Sequence, residues 1–386
     1  MKIIAFYPGV YPEGFSPMSY RLHYYMKALQ SKSVDVEVVM PDNRGKKNGV
    51  YEGIPYSYVK ATDRSRFNKG KIVKEYAQIC AVLAKECDVL FTTYLGNSQL
   101  KNLTKQVHNV GGKIVIEINE NPHSIIASRL DTSIGLYIQR QMFLRSTLKE
   151  VDGVITISKA LNDLISYYKK ESAQVIKVPI LTGINEIVRN QDYTGIPYVL
   201  HAGALSEQKD GVKAMLRAFA IAHKSLNGNL KFIFTNKVGF PSLLKWIDKF
   251  IKENRLEDYV EFKGLVPLAE LSELYNNCAM VIVNKPSNSQ NDYNFPTKLA
   301  EVLPRRIPLI VSNTGELRCY FKDNENAYMV EADNVVQIAD RIIFIQSHPQ
   351  EVSVVTTNGK LLAEKEFYYL HHANNLFDFF AQIAKI

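Results

Sequence analysis

The sequence predicts an α/β protein built from two Rossmann-like domains, each with a parallel sheet. The chain has 386 residues, more than a single hydrophobic core usually organises. Short apolar segments alternate with longer helical ones along most of its length. Strands and helices in that order form parallel sheets that are covered by helices on both faces.

Five apolar segments predict the strands of the first domain. Between the first two, Leu22, Tyr25, Met26 and Leu29 recur at helical spacing, so residues 19–30 are expected to form a helix. The expected strands are residues 2–7, 34–40, 89–93, 113–118 and 153–157. The first strand follows Met1 almost directly, which is the pattern of a buried strand and not of a signal peptide.

The alternation restarts after a polar stretch, residues 185–196, which we interpret as the linker. We expect domains over residues 1–187 and 196–366 that face each other across a ligand-binding cleft. The strands expected in the second domain are residues 198–202, 231–235, 259–263, 279–283, 308–312 and 327–330. Residues 367–386 end in an amphipathic helix that is expected to return to the first domain, with an apolar side of Leu376, Phe377, Phe380, Ile383 and Ile386.

The composition indicates a cytoplasmic protein with anionic partners. No apolar run is long enough to cross a bilayer, and the four cysteines have neither metal-ligand spacing nor a dense disulfide pattern. The formal net charge of +8 favours sugar nucleotides, lipid phosphates or an anionic membrane surface, and no nucleic-acid-binding motif is present. One basic cluster is either a solvated helix face or a membrane-docking patch; its members are Arg64, Arg66, Lys69, Lys71 and Lys74, with Phe67 among them.

Several familiar site motifs are absent from the sequence. There is no G-x-G-x-x-G after the first strand, no P-loop and no G-x-S-x-G elbow, which disfavours nicotinamide dehydrogenases, P-loop NTPases and α/β-hydrolases. No D-x-D occurs, which argues against a transferase that holds a diphosphate through a divalent ion. A nucleotide diphosphate bound here would therefore be neutralised by cations and backbone N–H groups, with no metal or other cofactor.

Two strand-to-helix junctions of the second domain offer such groups. In residues 201–211, Gly203 ends a strand without a side chain, and Lys209 offers a point charge for phosphate. In residues 294–301, a helix is expected to begin near Pro296, so that the N–H groups of Thr297 to Leu299 form an anion site. Glu301 lies one turn later, where its carboxylate can accept both hydroxyls of a ribose.

The order and spacing of several segments resemble the GT-B fold glycosyltransferases of family 4 over essentially the whole chain. The most specific segment reads Phe-Pro-Thr-Lys-Leu-Ala-Glu at residues 295–301, followed by Pro308 and by Gly315-Glu316. The other matching segments are residues 7–9 with Gly14 and Arg21, residues 117–122, residues 151–158 and residues 264–267.

The resemblance implies a metal-independent, retaining transfer of a sugar from a nucleotide diphosphate. By that analogy Lys209 binds the diphosphate, Glu301 the ribose, and the backbone near Val266 the base. The segment of Pro296, Thr297 and Lys298 then lies against the phosphates, with N–H groups from Thr297 and Lys298. Glu120 and the first loop face the acceptor and the transferred sugar. The residues implied on the acceptor side are Gly9, Gly14, Arg21 and His123, and His123 is equally explained as a solvated or core histidine.

The chain departs from the family pattern at two positions. Many members pair the lysine with an arginine five positions earlier, where this chain has Ala204. Many also have a glutamate eight positions before the ribose-binding one, where this chain has Tyr293. Asp292, Tyr293 or a neighbouring N–H group is then left to contact the donor sugar.

The acceptor implied is a saccharide or lipid-linked saccharide in the assembly of surface polysaccharide, with the enzyme at the inner face of the membrane. Two alternatives remain: a sugar-nucleotide epimerase of the same fold, which needs no acceptor, and a catalytically degenerate protein that only binds nucleotide sugars. A two-lobed solute-binding protein is disfavoured, because it requires a secretion signal.

Overall fold

The chain forms two compact units, described in a computed structural model. The first unit contains Met1–Leu181 together with Tyr369–Ile386, and the second contains Thr182–Tyr368. The structure describes residues 1–12, 16–42, 45–62, 69–93, 95–123, 130–184, 193–203 and 205–385. Most of the expected linker, Gly14, Ala204 and the basic residues at 64 and 66 lie outside these ranges, as do Phe67 and Ile386.

The first unit is organised around an eight-stranded sheet in the order β3-β4-β2-β1-β5-β6-β7-β8. All neighbouring strands are parallel except β3, which runs antiparallel to β4. The strands are β1 (Lys2–Phe6), β2 (Asp35–Asp42), β3 (Gly49–Tyr51), β4 (Ile54–Lys60), β5 (Val89–Thr93), β6 (Ile114–Ile118), β7 (Gly153–Thr156) and β8 (Gln174–Lys177). The helices between them are α1 (Pro17–Gln30), α2 (Lys69–Leu83), α3 (Asn97–Asn109), α4 (Leu130–Arg145) and α5 (Lys159–Tyr168), with a 3-10 turn at Thr147–Lys149.

Local sequence explains why α1 begins where it does. The Ser16 hydroxyl caps the helix by accepting a hydrogen bond from the Ser19 amide, and the Ser19 hydroxyl accepts one from the Ser16 amide. Pro17 takes the first helical position. The side chains of Leu22, Tyr25, Met26 and Leu29 are buried, as their spacing predicts.

The second unit is organised around a six-stranded, all-parallel sheet in the order β11-β10-β9-β12-β13-β14. Its strands are β9 (Tyr198–His201), β10 (Lys231–Thr235), β11 (Val260–Gly264), β12 (Met280–Val283), β13 (Leu309–Ser312) and β14 (Tyr328–Val330). Its helices are α6 (Glu207–Asp210), α7 (Val212–Ser225), α8 (Pro241–Glu253), α9 (Leu268–Asn277), α10 (Leu299–Val302), α11 (Leu317–Tyr320), α12 (Val335–Ser347) and α13 (Pro349–Leu362), with a 3-10 turn at Leu303–Arg305 and a π-helical turn at Ala363–Phe367.

The C-terminal segment returns to the first unit, as expected. After a 3-10 turn (Tyr369–His372), helix α14 (Ala373–Ala384) buries Leu376, Phe380 and Ile383 in the first core. Helix and strand approach closely at Gly153 in β7, since an added Cβ would lie 2.9 Å from the Phe379 ring. The predicted fold class is confirmed: both units are Rossmann-like.

All eleven strands expected from the sequence are present, and three others were missed. β3, β4 and β8 are shorter or more polar than the predicted strands and lie toward the two edges of the first sheet. Edge strands bury less side-chain surface than central ones, so the apolar runs that mark the central strands are weaker here. All four cysteines are free thiols, and Cys80 and Cys278 are buried. In the described part of the chain, no helix has the length and apolar character needed to cross a membrane.

Candidate functional site

Two loops of the second unit lie together where the strand order of its sheet reverses. β9 pairs with β10 on one side and with β12 on the other, where Val281 faces Leu200. Connections from β9 and β12 diverge to opposite sides, so a crevice opens outside the carboxyl ends of these two strands. Residues 202–211 follow β9 and residues 284–298 follow β12. Ligands of open α/β sheets bind at such points, so this crevice is the candidate site.

Gly203 shapes the first loop. Its φ of +120° is a conformation that side-chain-bearing residues rarely adopt, and its amide donates to Thr235 Oγ1 at the end of β10 over 3.2 Å. An added Cβ would lie 3.3 Å from Lys298 Nζ. The Lys298 ammonium therefore lies directly over the glycine that follows the central strand.

Lys209 is held at the end of this loop by short-range capping. Ser206 accepts a hydrogen bond from the Lys209 amide at 2.9 Å and so starts helix α6. Gly211 ends that helix in the left-handed conformation, with φ of +56°. The Lys209 side chain is half-buried.

Asparagine side chains after β12 fix the backbone around Lys209. Asn284 Nδ2 donates to Asp333 Oδ1 at 2.7 Å and to the Asp210 carbonyl at 3.3 Å. Asn288 Nδ2 donates to the Gln208 carbonyl at 2.8 Å, and Asn291 Nδ2 donates to the Lys209 carbonyl at 3.3 Å. The loop that carries the predicted phosphate-binding lysine is thus tied to the loop from the neighbouring strand.

Asp210 and Lys285 form an ion pair beneath these loops. Lys285 Nζ lies 2.7 Å from Asp210 Oδ1, and Asp210 is 3% exposed. Burial alone would raise the pKa of Asp210, but the charges of Lys285 and Lys298 lower it below its ordinary value. Asp210 is therefore ionised at neutral pH and neutralises Lys285.

Lys298 is a half-buried ammonium at the same point. Burial and the nearby charge of Lys285 lower the pKa of Lys298 to about 8, against smaller opposing effects of Asp210 and Glu301. No salt bridge joins Lys298 to a carboxylate among the residues that the structure describes.

Glu301 lies in the short helix α10 and is half-buried. Tyr275 Oη lies 3.5 Å from its Oε2, and Arg305 Nη1 donates to its carbonyl at 2.6 Å. Burial raises the pKa of Glu301, and Arg305, Tyr275 and Lys298 oppose the rise. Glu301 thus lies on the segment that also carries Lys298, and its role at the ribose stays a prediction.

The expected helix start at Pro296 is wrong. Helix α10 begins at Leu299 and has four residues, and the Leu299 amide donates to the Pro296 carbonyl at 3.2 Å. Residues 296–301 form tight turns in which amides bond three residues back, as from Ala300 to Thr297 at 3.0 Å. The Leu299 N–H is consequently used within the chain, and a helix this short has little macrodipole to bind an anion.

The other donor-side residues named from the sequence follow strands of the same sheet. Val266 is half-buried and follows β11, at the carboxyl edge of the same sheet. Asp292 and Tyr293 are half-buried in the loop after β12, and an added Cβ on Gly315 would lie 3.0 Å from the Asp292 Cα. Gly315, which belongs to the segments that resemble family 4, is therefore needed for close packing of that loop.

Arg21 is explained by a structural role and not by contact with an acceptor. Its side chain is 1% exposed, and its Nε donates to Glu117 Oε1 at 2.7 Å. Further donors reach the Pro179 carbonyl at 2.7 Å and the hydroxyl of Tyr25. This buried ion pair joins α1, β6 and the segment after β8, and the Arg21 side chain is almost entirely shielded from solvent.

The remaining acceptor-side predictions lie at the carboxyl edge of the first sheet. Glu120 is exposed after β6. His123 is half-buried, with Nδ1 at 2.9 Å from Gln141 Nε2, and burial lowers its pKa. At Gly9, an added Cβ would lie 2.5 Å from the Tyr7 hydroxyl, so the glycine makes room for that ring. These residues belong to the first unit, whereas the donor-side residues belong to the second.

Sequence reasoning missed Lys285, Asp210 and the three asparagines. A signal was present: residues 284–291 read Asn-Lys-Pro-Ser-Asn-Ser-Gln-Asn directly after an apolar strand. Such amide-rich loops bind backbone carbonyls, but a sequence does not show which carbonyls lie within reach.

The second unit is similar in sequence to a family of known proteins. Residues 185–361, a little under half of the chain, match the family model described as glycosyl transferases group 1. No curated protein sequence matches the chain significantly.

Solved structures resemble the whole chain. Sucrose-phosphate synthase from Thermosynechococcus elongatus superimposes with a TM-score of 0.76 at 15% identity, over 99% of each chain. A glycosyltransferase from Rickettsia africae gives 0.69 at 13% identity, over 100% of this chain and 98% of its own. HepE of Anabaena, solved with UDP and glucose, gives 0.69 at 14% identity, over 97% of this chain and 98% of its own. The chain therefore has the GT-B fold, and its second unit is similar in sequence to the group 1 glycosyl transferases.

Proposed function

We propose that this protein is a retaining glycosyltransferase that needs no metal and transfers a sugar from a nucleotide diphosphate. The observation that carries the proposal is the group of lysines at the β9–β12 crevice, with Glu301 on the adjoining segment. Lys209, Lys298 and Glu301 all lie within the region that matches the group 1 glycosyl transferases. HepE, which has the same fold, is solved with UDP-glucose.

The reaction breaks the bond between the anomeric carbon and the diphosphate oxygen and forms one to an acceptor hydroxyl on the same face of the sugar. The acceptor proton passes to the departing phosphate oxygen. Negative charge grows on the diphosphate while the sugar ring becomes oxocarbenium-like, so groups positioned for that charge lower the barrier. In our proposal the ammonium groups of Lys209 and Lys298 supply this stabilisation. Glu120 faces the acceptor and the transferred sugar.

A screen of nucleotide sugars tests the proposal. A correct donor or its nucleoside diphosphate at a hundred times Kd should stabilise the protein by about 2.7 kcal/mol. With an acceptor, NMR of the product should show the anomeric configuration of the donor, and EDTA should leave the rate unchanged. Absence of stabilisation by every nucleoside diphosphate would overturn the proposal.

The same screen separates the alternatives. Conversion of the donor to its epimer without an acceptor would identify a sugar-nucleotide epimerase. Nucleotide binding without turnover over a broad acceptor panel would identify a non-catalytic binding protein.

We further propose that the acceptor is a saccharide or lipid-linked saccharide of surface polysaccharide assembly, used at the inner face of the membrane. Net charge supports this, and so do three apolar side chains spaced four residues apart on α4. Ile134, Ile138 and Met142 are 57%, 51% and 52% exposed. Flotation with anionic vesicles should carry the protein upward at low salt; failure to float, with efficient use of soluble acceptors, would contradict the membrane site.

A further inference from the structure

We propose that the Lys298 side chain, together with Lys209, is a cation that holds the diphosphate of the donor over Gly203. This inference rests on the proposed function and assigns to Lys298 a side-chain role in place of the backbone role implied by the resemblance. Lys298 would then supply, beside Lys209, the second positive charge near Gly203.

The geometry places the Lys298 ammonium at the carboxyl end of the central strand. Nζ lies 3.3 Å and Cε 3.6 Å from the Cβ position of Gly203. No side chain therefore separates the ammonium from the backbone at Gly203. A ligand that approaches this backbone also reaches Nζ.

Among the described residues, Lys298 feels the charges of Asp210 and Glu301 but forms no salt bridge with a carboxylate. Asp210, one of the two acids whose charge acts on Lys298, is bound to Lys285 at 2.7 Å. The Glu301 Oε2 atom lies 3.5 Å from the Tyr275 hydroxyl, and the positive charge of Arg305 also stabilises the Glu301 carboxylate. In the described ranges, neither acid forms a salt bridge with Lys298. Two phosphate groups would supply the missing negative charge.

His201, whose pKa is affected by Lys298, does not supply a positive charge at this site. His201 is fully buried, and its Nδ1 lies 3.0 Å from the Ile282 carbonyl, which assigns the ring proton to Nδ1. Burial, with the charge of Lys298, lowers the pKa of His201 to about 3. The imidazole is therefore neutral at neutral pH, and Lys298 is the cation of the pair.

Lys298 should make donor capture depend on pH. The groups that act on it are Lys285, Asp210, Glu301 and His201. Because burial and Lys285 bring its pKa to about 8, Lys298 loses its proton as the pH rises through that value. The kcat/KM of the free enzyme should be full below this pH and fall above it. An arginine at this position remains protonated throughout, so Lys298→Arg should lose the alkaline decline.

Calorimetry with UDP, GDP, ADP and CDP, each compared with its monophosphate, tests the assignment. Lys298→Met should weaken binding of the preferred diphosphate roughly 10- to 100-fold, the range for one charged hydrogen bond, and change monophosphate binding less. Lys298→Arg should retain most of the affinity. Lys249→Met is the matched control, since its side chain is 73% exposed on α8 and should leave binding unchanged.

The outcomes separate this inference from the proposed function. If the wild-type protein binds none of the nucleoside diphosphates, the proposed function fails, and this inference fails with it. If the wild type prefers diphosphates and Lys298→Met keeps that preference, the assignment of Lys298 is wrong while the function stands. An alkaline decline that persists in Lys298→Arg would also count against it.

Discussion

Lys209 illustrates how a surface residue becomes a candidate catalytic group through its surroundings. Its amide is capped by Ser206, and its carbonyl accepts a hydrogen bond from Asn291 at 3.3 Å. Asn288 holds the preceding carbonyl at 2.8 Å. The backbone is therefore fixed from two sides, which lowers the entropy lost when the side chain binds a phosphate.

We expect Lys209→Ala to lower kcat by roughly a hundredfold or more, because a preorganised group aimed at developing charge contributes about 3–4 kcal/mol. Steady-state kinetics with the correct donor would measure this. Lys249→Ala, on an exposed face of α8, should be unaffected. A near-normal rate in Lys209→Ala would contradict its assignment to the diphosphate.

Glu301→Ala should mainly weaken nucleotide binding, because the carboxylate is assigned to the ribose hydroxyls. Calorimetry should show that the wild type binds a nucleoside diphosphate more tightly than its 2′-deoxy form. That difference should shrink in Glu301→Ala. Unchanged affinity, or an unchanged preference for the ribose form, would refute the ribose role.

At the scale of elements, Asp152 joins three strands at the amino end of the first sheet. It precedes β7 and accepts hydrogen bonds from His108 Nε2 at 2.9 Å and from the Ile114 amide of β6 at 3.0 Å. Lys113 and Lys170 lie 3.7 and 3.4 Å away. Burial by itself raises the pKa of Asp152, but the hydrogen bonds from His108 and Ile114 and the charge of Lys170 lower it from 3.8 to about 2.

A lowered pKa stabilises the folded state above the unfolded pKa of Asp152, and the contribution is lost as the pH falls through the folded value. At pH 7 it amounts to about 2 kcal/mol. Urea unfolding at pH 7, 4 and 3 should show Asp152→Asn less stable than the wild type at pH 7, with a smaller difference at pH 3. Asp163→Asn should change little, because Asp163 is 61% exposed. A pH-independent difference would contradict the ionic explanation.

The elements also show where local sequence is sufficient. β1 and β9 match their predicted ranges closely because each is a short and mostly apolar run, which favours a buried strand without help from its neighbours. β8 was missed, since Gln174 and Lys177 at its ends are exposed and it pairs on one side only. Proline suits a turn as well as a first helical position, so the sequence does not distinguish the turn at residues 296–298 from a helix start.

At the scale of the whole molecule, the last helix belongs to the first unit although the second unit precedes it in sequence. Phe380 is fully buried there, and its ring lies 6.0 Å from that of Phe91 in β5. The chain's single tryptophan, Trp246, lies in α8 of the second unit. Tryptophan fluorescence therefore reports on the second unit, whereas circular dichroism reports on both.

Phe380→Ala should destabilise the first unit by about 3–5 kcal/mol, because it leaves a cavity in the core. Urea unfolding followed by circular dichroism should show an earlier transition, while the fluorescence of Trp246 should shift less. Phe377→Ala is the control, since Phe377 is only partly buried at the margin of the same core. Equal shifts of both signals would contradict a destabilisation confined to the first unit.

The sequence by itself determined the class of fold, eleven of the fourteen strands in the described residues, the returning helix and the segments that carry Lys209 and Glu301. The fold class, the strands and the returning helix could be predicted because they depend on local patterns. These patterns are apolar runs, helical spacing, and glycine or proline at the junctions. Only the tertiary structure decided the strand order, the pairing of Asp210 with Lys285, the burial of Arg21 against Glu117, and the position of Lys298 over Gly203. Each of these joins residues far apart in the chain, and their distances are not contained in any local pattern.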